Sequence, residues 1–445
     1  MDWVLAKVMV RHDRLSRRRL VGALGGSVAT GFLAGCLDDD GDDLERTDDG
    51  DDGDGDDEQT GESEENVEIG TVSLAVLEPF TGALSDFAEE HYRGTELAIQ
   101  QVNESDEYDF EFEYSEYNTQ TSAVDAIHEA EEAIQDYDAD FLTGCISSSS
   151  ALAVSDIADS NGVVYTPGAA DISITGENCS EYVFRAETNT VQTTEVMAQW
   201  VHDELGDQIF YHIADYVYGQ SVRDEFEDRM ESFSDSYENI GETVSDPGST
   251  DFNAFITQIQ NNADDADALV VGMTGSDLVV FLTQARDRGL HDEIPIVTTT
   301  GSFRAIREGA GAGASDIYSA TRYVPGLDTG TNGELVSAYQ DEYGGDLPDN
   351  FSRVGYQSVR MLANGIREAG SGDPAEVKEI LPGMEHDTVF GSVEFRECDG
   401  QATNPVWMAE CVEPTEGEVA DVELLTEISG DQSLPACAES PCNRT

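Results

Sequence analysis

The 445-residue chain carries 22 basic against 93 acidic residues, a net charge of −71. Its length exceeds one ordinary domain and allows a large buried core, so two lobes with flanking tails are expected. So acidic a chain does not bind nucleic acid or anionic lipid by charge, and because the acids recur through the predicted helices, they read as the hydrated surface of a halophile that softens in low salt.

Ser16-Arg17-Arg18-Arg19-Leu20-Val21 fits the twin-arginine export pattern, and an apolar run rich in Gly and Ala follows from Leu20 to Leu33. That run is shorter than the roughly 20 apolar residues of a membrane span. Leu33-Ala34-Gly35-Cys36 fits a lipobox, in which small residues admit a peptidase and Cys36 receives lipid. Removal of residues 1–35 takes away six basic and two acidic residues, leaving 16 against 91 and a net charge of −75. Between Asp38 and Glu65 there are seventeen acids and one arginine, so residues 36–66 are expected to form an acidic, disordered tether.

The first predicted strand, residues 71–77, leads through Glu78-Pro79-Phe80-Thr81-Gly82 to a helix bearing Tyr92, Leu97, Ile99 and Val102. The alternating strand Phe110, Phe112, Tyr114 precedes a helix with Val124, Ile127 and Ile134. Phe141-Leu142 then closes a short buried strand and Gly144 lets the chain turn. Four serines, 147–150, enter a segment with Leu152, Val154 and Ile157 at helical spacing. They sit at a helix N-terminus, whose unpaired N–H groups and dipole can hold a carboxylate or another polar oxygen. The next strand, 163–166, ends in Pro167-Gly168-Ala169-Ala170, small residues that let a ligand reach the main chain. Two neighbouring strand ends thus offer polar groups to one crevice, the usual ligand position in open α/β sheets.

A helix over 191–205 opens a second series, with strands at 209–213, 268–272 and 294–298 separated by helices holding Val222 and Phe226, Phe255 and Ile259, and Phe281 and Leu282. This alternation predicts an α/β fold with parallel sheets. Residues 317–325 read as a return crossing, and helices over 332–343 and 351–369 go back to the first lobe. A hairpin is expected between 391–395 and 405–408, around Asp399-Gly400. Beyond Cys411 the chain is acidic and turn-rich, and a poorly packed tail is expected.

GCISSSSALAVSDIADSNGVVYTPGAADISIT, residues 144–175, followed by Tyr182-Val183-Phe184-Arg185, resembles the branched-chain amino-acid-type solute-binding proteins of ABC importers, the periplasmic binding protein type I family. The resemblance extends over residues 68–409. It implies two Rossmann-like lobes joined by three hinge strands, a Venus flytrap, with lobe 1 at 67–187 and 322–388, lobe 2 at 188–321 and 389–412, and a tail at 413–445. It also implies a small-molecule ligand, no cofactor, no reaction, and permease and ATPase partners, while the lipobox at Cys36 is expected to anchor the exported chain to the outer face of the cell membrane.

Residue by residue, the resemblance places Phe87 where an aromatic packs on the ligand side chain, and Ser148 where a hydroxyl binds the ligand carboxylate, with Ser149 beside it. Gly168 falls where a main-chain carbonyl receives the amine, Ala170 where a threonine usually helps, and Tyr218 where an aromatic forms a lid. Two positions depart. Thr300 stands where the amino-acid binders have an acid, and Thr274 where an aromatic is common. A buried ammonium needs a partner, so Asp171, Asp215, Asp277 or Glu78 must stand in, or the ligand lacks that charge, as amides, urea and small carboxylates do. An amino acid, branched-chain above all, is the expected ligand. A ligand sensor of the same fold is the nearest rival. A secreted hydrolase finds no support, since no GxSxG elbow, HExxH or Ser/His/Asp arrangement stands out.

Six cysteines remain besides Cys36, an even number in an exported chain, which suggests disulfides. Cys398 with Cys411 and Cys437 with Cys442 lie close in sequence, leaving Cys145 with Cys179, one of fifteen possible sets of pairs. There is no CxxC and the seven histidines are scattered, so no metal site is expected.

Overall fold

Apolar strands alternating with amphipathic helices build two separate sheets in the computed structural model, which describes residues 69–415, 417–442 and 444. The export pattern, Cys36 and the acidic run lie outside the described residues. In the first lobe β1 (Gly70–Glu78), α1 (Ser85–Glu104), β2 (Phe110–Asn118), α2 (Ala123–Gln135), β3 (Phe141–Gly144), α3 (Ser148–Asn161) and β4 (Val164–Pro167) alternate. The four strands are parallel in the order β2-β1-β3-β4. Side chains of a strand alternate between faces. Val72 and Leu74 therefore join Ala98, Ile99 and Val102 of α1 on one side, while Ala75 and Leu77 join the alanines of α2 and α3 on the other.

The second lobe runs α4 (Thr190–Glu204), β5 (Gln208–Ala214), α5 (Val217–Phe233), β6 (Glu238–Ser245), α6 (Asn253–Gln260), β7 (Ala268–Gly272), α7 (Gly275–Asp287), β8 (Ile296–Thr298), α8 (Arg304–Ala310) and β9 (Ile317–Thr321). The chain then returns to the first sheet with α9 (Asn332–Glu342), α10 (Asn350–Ala369), α11 (Pro374–Ile380) and the antiparallel hairpin β10 (Glu385–Thr388) and β11 (Gly391–Glu394). It crosses again to add β12 (Val406–Val412) and β13 (Asp421–Ile428), completing the order β13-β12-β9-β8-β7-β5-β6, before a short helix, α12 (Gly430–Ser433). The chain thus passes between the sheets three times.

Three expectations for the C-terminal third are corrected. The chain does turn back at Asp399-Gly400, where Phe395 bridges Ala402 antiparallel, but the pairing stops short of 405–408: β11 pairs with β10, and β12 lies antiparallel between β9 and β13. Val393 and Phe395 pack into the first lobe's core, so the last crossing follows them, and lobe 2 does not resume at 389. The tail is not loose: β13 adds an edge strand that pairs with β12 along its length and leaves acids such as Glu423 and Glu427 exposed, and Arg444 then reaches the first lobe, donating to the carbonyls of Ser180 and Val183 and lying over the Phe184 ring.

That path also corrects the cysteine pairing. Cys179 bonds Cys442 and Cys398 bonds Cys437, while Cys145 and Cys411 are buried free thiols. Cys411 lies within β12 with its side chain in the second lobe's core, and burial pushes its thiol up to about 12. Pairs close in sequence gave way to pairs that β13 and α12 bring together in space.

One core residue makes stability depend on pH. His212 of β5 packs against Phe252, Phe255 and Phe281; Thr243 lies at its Nδ1 (2.8 Å to the hydroxyl), and Nε2 has no partner. Burial pushes its pKa down to about 4. Above the ordinary value near 6.5 the ring is neutral folded and unfolded; as pH falls from 6.5 towards 4, the unfolded ring takes a proton that the native ring refuses, and stability is lost over that window. Between pH 7 and 5 the denaturation free energy of His212→Gln is expected to fall about 2 kcal/mol less than that of the wild type. Parallel urea titrations at the two pH values check it, and equal falls would remove His212 from the account.

Candidate functional site

The C-terminal ends of β3 and β4 face those of β7 and β8 across a crevice holding ≈ 890 Å³ of space free of protein atoms, counted to its open mouth. Its first-lobe wall begins with the turn after β3. Gly144 has φ 106°, and a side chain there would run into the Leu77 carbonyl, so glycine is required. The turn delivers Ser147 as the residue preceding α3, with an extended backbone and a side chain that does not cap the helix. Instead its hydroxyl meets that of Ser149 at 3.2 Å. The first N–H groups of a 14-residue helix thus face the crevice without a side-chain cap. Gly168 and Ala170, past the end of β4, form the adjoining floor.

The opposite wall comes from the second lobe. Thr300, after β8, donates to Thr274, before α7, at 2.9 Å, so these two hydroxyls partly satisfy each other. Tyr218, in the first turn of α5, donates to Thr299 at 2.6 Å and accepts from Arg322 at 3.1 Å. With its hydroxyl so engaged, Tyr218 offers the crevice its ring. Asp277 also lines this wall; both its oxygens lie near the Gly248 N–H, at 3.1 and 3.0 Å, and burial raises its carboxyl pKa against that bond.

Seven of the eight residues singled out from the sequence, Ser148, Ser149, Gly168, Ala170, Tyr218, Thr274 and Thr300, line this one space. Phe87 does not. It is 4% exposed, packs on Phe351 of α10 at 4.9 Å between ring centres, and meets Phe303 of the second lobe edge-on at 5.9 Å. Its helix turns the ring along the lobe-to-lobe contact, where Glu90 also pairs with Arg304, and leaves Leu84 and Phe351 to supply apolar surface to the crevice. The lobes are therefore in contact on the α1 side of the site.

Arg322, on the second crossing, was not signalled by the sequence, because an isolated arginine reads as surface. It is 1% exposed, lines the crevice, pairs with Glu187 at 3.2 Å and lies over the Phe303 ring, with its Nε lacking a partner. Glu187 also faces Arg353 of α10 at 3.7 Å, and burial pushes that guanidinium down to about 10. Among the described residues no three His, Cys, Asp or Glu side chains gather as metal ligands.

A family model for periplasmic binding proteins matches residues 71–417. The chain is 23% identical over 339 residues to a Leu/Ile/Val-binding protein homologue of Brucella melitensis, covering 75% of this chain and 89% of that one. Among solved structures it is similar to an amino acid ABC transporter substrate-binding protein of Pseudomonas fluorescens, with a TM-score of 0.75, 22% identity, and coverage of 84% of this chain and 99% of that one. A solute-binding protein of Rhodopseudomonas palustris in complex with 3,4-dihydroxybenzoic acid gives 0.73 and 18%, covering 81% and 98%. Two α/β lobes, three crossings and a crevice between strand ends agree with these matches, and the chain belongs to the periplasmic binding protein family, type I, as a solute-binding protein of an ABC importer.

Proposed function

We propose that this protein captures a small carboxylate-bearing solute between its lobes and presents the closed form to a membrane permease, held at the outer face of the cell membrane by lipid on Cys36. The observation that carries this is the uncapped N-terminus of α3, with the Ser148 and Ser149 hydroxyls beside it, opening into a crevice that both lobes line. A carboxylate there would accept charge-assisted hydrogen bonds from N–H and hydroxyl donors and meet the positive end of the helix dipole. Contacts from both lobes exist together only when the lobes meet, so ligand binding favours closure. Relatives named for Leu, Ile and Val binding, and structural neighbours named with hydroxybenzoic acids, support a carboxylate as the common element.

The test is thermal stabilisation in molar KCl against amino acids, their amides, urea and short or aromatic carboxylates. A ligand at 100 times its Kd adds about 2.7 kcal/mol to the native state. Ser148→Ala is expected to weaken the best ligand by about tenfold, the worth of one hydrogen bond to a charged group. If no compound raises the melting point, the reading fails.

A further inference from the structure

We infer that Arg322 makes the crevice a site for a small organic carboxylate that carries no ammonium group. This rests on the solute-binding reading of the same crevice and narrows its ligand class.

The first ground is charge. Arg322 and Arg353 are each 1% exposed or less and share one ion-paired carboxylate, Glu187, so the hinge wall of the crevice holds one more buried cation than anion. A guanidinium has five N–H donors. Arg322 commits one to Glu187 and one to Tyr218. A buried cation with spare donors at the edge of the crevice attracts an anionic ligand and repels an ammonium.

The second ground is that, among the described residues, a single carboxylate lines the crevice, and it already holds a backbone N–H. Glu78 is fully buried behind the first-lobe wall, 2.6 Å from His91. Asp171 accepts from Ser173, and Asp215 from Gln220 at 2.8 Å. Only Asp277 reaches the crevice, and it is held on the Gly248 N–H. Thr274 and Thr300 offer neutral oxygens, which do not offset the desolvation of an ammonium. The remaining surface, from Leu84, Ile146, Phe351 and the Tyr216 ring, suits a branched or aromatic hydrocarbon body.

Calorimetric titration of the protein in molar KCl with matched ligands decides the matter. The pairs are 4-methylpentanoate with leucine and 3-phenylpropanoate with phenylalanine, with 3-phenylpropanamide as the neutral control. Each acid is expected to bind about 30-fold tighter than its amino acid, and at least about tenfold tighter than the amide. Arg322→Gln is expected to lower acid affinity by about 30-fold while leaving amide affinity within about threefold, and Arg322→Lys to keep acid affinity within about tenfold of wild type. Leucine or phenylalanine binding as tightly as its acid twin overturns the inference and leaves the solute-binding reading standing. Equal weakening of acid and amide in Arg322→Gln overturns the charge role and leaves Arg322 only positioning Tyr218. Failure of every acid, amide and amino acid to bind overturns both readings. Should Arg322→Gln not fold, the wild-type comparison of acid with amino acid still decides.

Discussion

Glu187→Ala is expected to destabilise the protein by about 3–5 kcal/mol, the usual cost of removing one partner from a buried ion pair. Glu187 is fully buried where all three crossings meet. One carboxylate oxygen accepts from the Thr188 N–H at 2.8 Å and faces Arg322 on the second crossing and Arg353 on α10. The other accepts from Asn350 at 2.9 Å, and the Glu187 carbonyl accepts from Gln401 on the third crossing at 2.8 Å. Alanine would leave two guanidiniums buried against each other without the carboxylate they share. Glu187→Gln keeps an acceptor for Asn350 and for one arginine, so it is expected to cost about half as much. Urea denaturation in molar KCl measures both. A loss below about 1 kcal/mol in Glu187→Ala would mean that the arginines find other acceptors, and the excess positive charge assigned to the hinge wall would lose its basis.

How much of this was legible in the sequence follows from how local each determinant is. The turn at Gly144 and the serine run are consecutive, and their chemistry follows from being the end of a strand and the start of a helix, so the first-lobe wall could be read directly. The alternation of strands and helices, likewise local, gave both sheets. Phe87 could not be placed that way. One turn of α1 separates a ring facing the crevice from a ring facing Phe303, and the choice is made by a lobe more than two hundred residues away in sequence. The disulfide Cys179–Cys442 spans 263 residues, and only the course of β13 along the second sheet brings its halves together. Residues 421–428 carry acids at 421, 423 and 427, which hides an edge strand among turn-forming neighbours. Buried arginines are the least legible of all. Their polarity signals solvent, and only the meeting of Glu187, Arg322 and Arg353 from separate parts of the chain reveals that they are inside.

Gly94→Ala sets two physical effects against each other, and their magnitudes predict which wins. Gly94 lies in the middle of α1, where helix propensity alone favours alanine by about 1 kcal/mol. Here, however, α1 crosses α10 so closely that an added Cβ would overlap the Ser352 carbonyl, and Gly355 stands in the same relation to the His91 carbonyl from the other side. Backbone atoms cannot yield as a flexible side chain can, so the helices must part. Overpacking of that kind is expected to cost about 3 kcal/mol or more, for a net loss of at least about 2 kcal/mol. The loss should reach the crevice as well, because the first turn of α10 carries Asn350 and Arg353 to Glu187 and Phe351 to the ligand space. Gly94→Ala is therefore expected to weaken ligand binding although it touches no ligand contact. The double variant with Gly355→Ala should lose less than the sum of the single variants, since helices already parted by one methyl make room for the second. Denaturation of the three variants in molar KCl tests the crossing: stabilisation by Gly94→Ala would show that propensity outweighs contact and that the helices lie further apart than described.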